Sequence, residues 1–176
     1  MPSGRPLLQQ DDALRLGWLA VLRAVDVSRR APLSARQALN AAVQIDQLSD
    51  RVFATRAALS VPPLARAPDI LTFRAALRAC DPAFGPIMDL TACCPYGPSL
   101  QVTATEVAPE GFDRLGVADL MVSLYNAGTV PRLMMLQPGG TMLPMQNLLQ
   151  HATARWGAIL DHDAVADHGQ TARQDR

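Results

Sequence analysis

Apolar positions recur every three or four residues in the first half of the chain and every second residue in much of the second half. Leu14, Trp18, Val21, Leu22 and Val25 share one helical face. This spacing predicts a first helix running to about Ser28. Asp11 and Asp12 offer its N-cap, and Arg29 and Arg30 suit its C-terminus, where the helix dipole favours cations. Ser34 and Gln37 form an S-x-x-Q capping box that opens a second helix. Ala41, Ile45, Leu48, Val52 and Leu59 line its face until Val61-Pro62-Pro63 stops it, since a residue before proline disfavours the helical region. A third helix starts from Asp69 as cap, presents Ile70, Phe73, Leu77 and Cys80 on one side, and closes at Asp81-Pro82.

The period then changes to two. Met88, Leu90 and Ala92 alternate with Asp89 and Thr91, which predicts a first strand. After a Pro95-Tyr96-Gly97-Pro98 turn, Leu100, Val102 and Ala104 alternate with Gln101, Thr103 and Thr105. A second turn, Pro109-Glu110-Gly111, precedes a strand with Leu120, Val122 and Leu124 on one face. Asn126 to Thr129 turns the chain, and Val130 to Leu136 returns as a fourth strand. Pro131 lacks a ladder donor, which assigns that strand to an edge or a late entry. Pro138-Gly139-Gly140 breaks the pattern again, and Thr141 caps a final helix with Pro144 in its first turn. Its apolar stripe is Met145, Leu148, Leu149, Ala152, Trp156 and Ile159.

The predicted fold is α+β: an N-terminal three-helix segment, a four-stranded antiparallel β-meander, and a C-terminal helix packed on the sheet. One domain spans 1–160, with a helical part at 11–81 and the sheet plus closing helix at 86–160. Residues 161–176 read as a mobile polar tail. The expected core is Trp18, Ile45, Leu48, Val52, Phe73, Val102, Val122, Leu124, Leu148 and Trp156.

Composition narrows the chemistry. The 176 residues are 49% hydrophobic and 18% charged, enough to build a core and inconsistent with wholesale disorder. All 16 basic residues are arginine. That excludes a P-loop lysine, a Schiff-base lysine and any pyridoxal-phosphate lysine. No apolar run approaches the ~18 residues of a membrane span, and Met1 to Pro6 lacks a secretory signal pattern. Cys80, Cys93 and Cys94 are odd in number with two adjacent, so a reducing, cytoplasmic setting is expected. Charge is uneven: residues 1–80 hold 11 arginines against 6 acids, and residues 81–176 hold 5 against 10. Such a split fits a partner surface, pairing between the halves, or chance at this chain length.

Few residues suggest chemistry. Cys94-Pro95-Tyr96 resembles the start of the glutaredoxin active site. The dithiol form of that family has a second cysteine where this chain has Gly97. It also has a helix after the motif, whose N-terminus activates the thiol. A simpler expectation is that Cys93 and Cys94 end a strand and point to opposite faces. Asp161-His162-Asp163 and Asp167-His168 are metal-capable but read as solvated tail, so no metal and no cofactor are expected. Glu106, Glu110, Asp113 and Asp119 read as solvated acids of the sheet turns. Arg51, Arg56, Arg66, Arg74 and Arg78 fall on the second and third helices and their link. Nucleic-acid contact through them is unfavoured, because the pI is near 6.8 whereas binders usually exceed about 9. Met121, Met134, Met135, Met142 and Met145 concentrate around the last hairpin and the final helix. Adjacent Met134 and Met135 face opposite sides of a strand, which suggests apolar residues on both sheet faces, either covered by the three helices on one side and the last helix on the other, or with one face left for a partner or a second copy.

Three functions follow as expectations. The first is a non-catalytic, self-associating protein-interaction module (an adaptor, assembly factor or chaperone-like protein). Its surface would comprise Met121, Tyr125, Arg132, Met134 and Met135, and its partner is another protein or a second copy. The second is a small enzyme or ligand-binding domain with a pocket at Cys94 and Tyr96. The third is nucleic-acid contact through the arginine-rich helices. No membrane partner is expected.

Overall fold

The computed structural model describes residues 11–92, 94–106 and 128–166. The described residues form six α-helices, one 3-10 turn and a small three-stranded antiparallel sheet. In order these are α1 (Asp12–Arg30), α2 (Ala35–Ala54), a 3-10 turn (Arg56–Ala58), α3 (Pro62–Ala65), α4 (Ile70–Cys80), α5 (Phe84–Thr91), β1 (Ser99–Glu106), β2 (Thr129–Leu136), β3 (Met142–Pro144) and α6 (Met145–Ala166).

Three helix starts follow from their caps. The Asp11 carboxylate accepts from the N–H groups of Ala13 (2.8 Å) and Leu14 (3.0 Å) at the head of α1. Ser34 Oγ accepts from Gln37 N–H at 3.3 Å and opens α2. Asp69 accepts from Thr72 N–H at 2.7 Å and opens α4. The hydrogen bond from Thr72 holds the Asp69 carboxyl below its ordinary range.

Leu14, Gly17, Val21, Ala24 and Ser28 turn one face of α1 inward. Ala38, Ala41, Ala42, Ile45, Leu48, Ser49 and Val52 do the same on α2. The two helices lie against each other, and α6 packs over both. Gly17 permits the approach, since a Cβ there would stand 2.8 Å from the Arg51 side chain. Gln146 Nε2 donates to Ser28 Oγ (2.9 Å) and to the Ser28 carbonyl (3.2 Å). This satisfies a buried serine and ties the start of α6 to the end of α1. Trp156 lies fully buried with Phe84 edge-on at 5.3 Å. Buried side chains from α1, α2, α4, α5, β2 and α6 form one continuous cluster.

The α+β class holds, but four details differ from the expected layout. First, residues 84–91 are helical, whereas alternation at 88–92 predicted a strand. The buried residues Phe84, Ile87, Met88 and Leu90 include the i, i+3, i+4 spacing of a helix. That spacing emerges only when the window opens at Phe84. Pro86 falls in the first turn, where a missing N–H costs nothing. Thr91 Oγ1 lies 2.9 Å from Asp46 Oδ2 and 3.0 Å from the Met88 carbonyl and shares its single proton between them, which ties the end of α5 to α2.

Second, α2 ends at Ala54 rather than reaching the prolines. Arg56 closes it: its Nη1 donates to the Phe53 carbonyl (3.0 Å), its Nε donates to Ala67 (2.7 Å), and its guanidinium lies 3.9 Å over the Phe53 ring. Third, Thr141 caps nothing. Its carbonyl accepts from Gln137 N–H (2.9 Å) in a turn where Gly140 has φ of 81°, a conformation suited to glycine. Leu143 precedes a proline and is held extended, so Met142–Pro144 forms a strand and α6 begins at Met145. Fourth, α6 continues to Ala166, so the helix takes in residues expected in the tail.

The sheet order is β1-β2-β3, antiparallel throughout. β1 pairs with β2 from Ser99↔Leu136 to Glu106↔Thr129. β3 covers only Met134 to Leu136. Pro131 therefore sits in the middle strand of the order, at a level where β3 does not reach. The expected strand around Leu120 to Leu124, and residues 167–176 of the expected tail, lie outside the described residues.

Candidate functional site

The clearest unpartnered surface is the outward side of α1. Leu16 is 60% exposed, Leu19 37% and Val27 43%, and Leu22 on the flank is 40% exposed. The helix thus carries apolar residues on more than one side, unlike an ordinary surface helix with a single stripe. Counting apolar positions on α1 would have revealed this. Assigning Leu22 to the inward stripe concealed it.

The residues expected to form a Met-rich surface are placed differently. Met135 is fully buried in the main cluster. Met134, on the opposite face of β2, is 9% exposed. Neither offers much surface in this conformation. Arg132 is half-buried and engaged with neighbouring groups. Met121 and Tyr125 lie outside the described residues. An apolar groove of about 360 Å³ runs beside β2, between Pro131, Leu133 and Met134 on one side and Pro32, Leu33 and Asn147 on the other.

Cys94 follows the C-terminal end of α5 rather than ending a strand, as the first-strand prediction required. That is the helix end opposite to the one that favours an anion. Its Sγ lies 3.9 Å from the Ala92 carbonyl. The segment from Cys94 to Gly97 is a tight turn, closed by Gly97 N–H to the Cys94 carbonyl at 2.9 Å. A Cβ at position 97 would meet that carbonyl oxygen at 3.0 Å. The turn is therefore tight for any side chain at the position where the glutaredoxin motif has its second cysteine. Cys94 does line a depression of about 320 Å³, with Asp89, Pro98, Gln137 and Gly139 around it. Tyr96 is 92% exposed and is not part of that lining. Cys93 lies outside the described residues. Cys80 is half-buried on α4.

The arginines of α2 and α4 do not assemble into an open cationic face. Arg74 lies 3.3 Å from Asp46 and 3.3 Å from Asp50. The Asp46 Oδ1 contact lacks the alignment of a hydrogen bond, so it is ionic in character. Arg78 pairs with Asp89 at 2.7 Å. Arg56 is committed to the turn after α2, and Arg51 Nη1 reaches the Ala13 carbonyl at 3.4 Å. These bonds join α2, α4, α5 and α1 within the molecule.

Among the described residues no group of three or more His, Cys, Asp or Glu side chains is placed to hold a metal. Nor, among them, is any helix long and apolar enough to cross a membrane. Comparison with protein-family models, with characterised proteins and with solved structures yields no match.

Proposed function

We propose that this protein is a non-catalytic, self-associating interaction module that acts as an adaptor, assembly factor or chaperone-like protein. The apolar outward side of α1 carries this reading. Exposing Leu16, Leu19, Leu22 and Val27 together on one rigid helix leaves apolar surface in water that a partner would bury, at about 25 cal/mol per Å². The engaged arginines support it further, because they fit internal bracing better than phosphate contact. The test is light scattering of the purified protein across a concentration series. A mass that rises toward two chains supports self-association. A constant single-chain mass removes it from the proposal.

The Cys94 depression favours a second reading, a small ligand-binding domain. It combines an exposed thiol, the Asp89 carboxylate and an open depression of about 320 Å³, a volume at the lower end of the usual range of small-molecule sites. Iodoacetamide labelling of Cys94 at pH 7, followed by peptide mass analysis, checks the thiol version. Labelling no faster than a model thiol counts against it.

A further inference from the structure

Asp12, Leu16, Leu19, Arg23, Val27 and Arg30 follow one another at intervals of three and four residues along the outward side of α1. They form one seam, roughly opposite the inward line of Leu14, Gly17, Val21, Ala24 and Ser28. We propose that a second copy of this chain docks on the seam, α1 against α1 and antiparallel, about a twofold axis near residue 21. This rests on the self-association reading above and adds to it a surface, an orientation and a charge code.

Charge decides the orientation. The seam is acidic at its start, through Asp12, and basic at its end, through Arg30 with Arg29 beside it. Antiparallel docking sets Asp12 of one copy against Arg30 of the other, twice over by symmetry. Leu16 then lies beside Val27, and Leu19 lies under the aliphatic stem of Arg23. Parallel docking would instead set Arg29 and Arg30 against their own copies, and Asp12 against Asp12. The helix dipoles also favour the antiparallel arrangement.

Asp12 now pairs with Arg15 at 3.0 Å and Arg30 with Asp26 at 2.6 Å. Both are solvent-facing contacts of low worth and exchange readily for contacts across the seam. A helix of 19 residues is about 28 Å long. One such pair sits at the small end of the specific interfaces, below about 1,200 Å² in all. The association is therefore expected to be weak and dependent on concentration.

The experiment is sedimentation equilibrium of the full chain from about 5 to 500 µM, the range in which a small interface dissociates. The expected mass rises from one chain to two. Leu16→Glu with Val27→Glu keeps the same thermal transition, since both side chains are exposed, and abolishes the rise. Asp12→Arg and Arg30→Asp each weaken association about threefold to tenfold, and the two together restore most of it. A dimer that survives the double glutamate variant overturns the α1 seam but leaves self-association standing. A charge-swapped double variant no better than its single parents overturns the antiparallel orientation, and it remains decisive if the glutamate variant fails to fold. A single-chain mass at every concentration overturns both the seam and the self-association beneath it.

Discussion

In the helical layer, the inward faces of α1 and α2 meet each other and α6, and side chains such as Leu14, Ile45, Leu48 and Trp156 are sealed from water. The sheet is built otherwise. β2 is buried at Val130, Leu133 and Met135, while its neighbour β1 is exposed or half-exposed along its whole length. Val102 and Leu133 are directly paired on one face, yet Val102 is 53% exposed and Leu133 is 3% exposed. The two regions differ in what covers them. α6 lies over β2 and β3, so a residue one strand further out loses its cover. Alternation along a strand fixes which face a residue occupies, but not whether anything packs on that face.

The contrast can be broken most forcefully at Trp156. Trp156→Ala is expected to cost about 3–5 kcal/mol in chemical denaturation. Trp156→Phe is expected to cost far less, because the indole N–H has no hydrogen-bond partner to lose. Next, Met135→Ala should cost about 2–5 kcal/mol, since Met135, together with Leu133, carries the sheet into the main core. Third, Arg74→Ala is expected to cost about 1–2 kcal/mol, because it strands the largely buried Asp46 carboxylate, whose side chain is 15% exposed. A double-mutant cycle with Asp46→Asn should recover part of that loss.

On the exposed side of the comparison, Val102→Ala should cost below about 1 kcal/mol. A loss comparable with Met135→Ala would mean that β1 is covered in solution. The smallest effect is expected at the surface cap of α4. Asp69 has its carboxyl lowered from 3.8 by the Thr72 N–H, so the cap stabilises fully above 3.8 and fades as pH falls through the lower folded value. The stability difference between the protein and Asp69→Ala should therefore be constant near neutrality and close in acid, as read from denaturation at several pH values.

The helix starts were legible because capping is local. Asp11, Ser34 and Asp69 each bond an N–H two or three residues ahead, and nothing distant competes. The errors arose where two local rules overlapped. Met88, Leu90 and Ala92 satisfy a strand pattern over five residues, whereas Phe84, Ile87 and Met88 have helical spacing and Ala92 falls outside the helix. Thr141 is an acceptable N-cap by type, but Leu143 stands before a proline and stays extended. The outward seam of α1 was hidden for another reason. A stripe drawn through Trp18, Val21, Leu22 and Val25 accounts for a helix with one apolar side, and only packing shows that Leu22 stays outside and that Gly17 and Ala24 take the inner positions. The depression at Cys94 depends on residues 137–139 closing over residues 89–98, a meeting between distant segments that no local motif encodes.

Trp156 and Trp18 give two depths of the helical layer separate optical signatures. The chain has two tryptophans. One is sealed beside Phe84 with its indole nitrogen dry, so its emission should be shifted to the blue and quenched poorly by iodide. The other lies half-buried between α1 and α6, its ring 3.8 Å from where a side chain at Gly157 would begin. With Trp156→Phe as the reference, the remaining tryptophan fluorescence reports from the junction of α1 and α6. Any loosening of that junction then becomes visible as a change in colour or lifetime, without a dye.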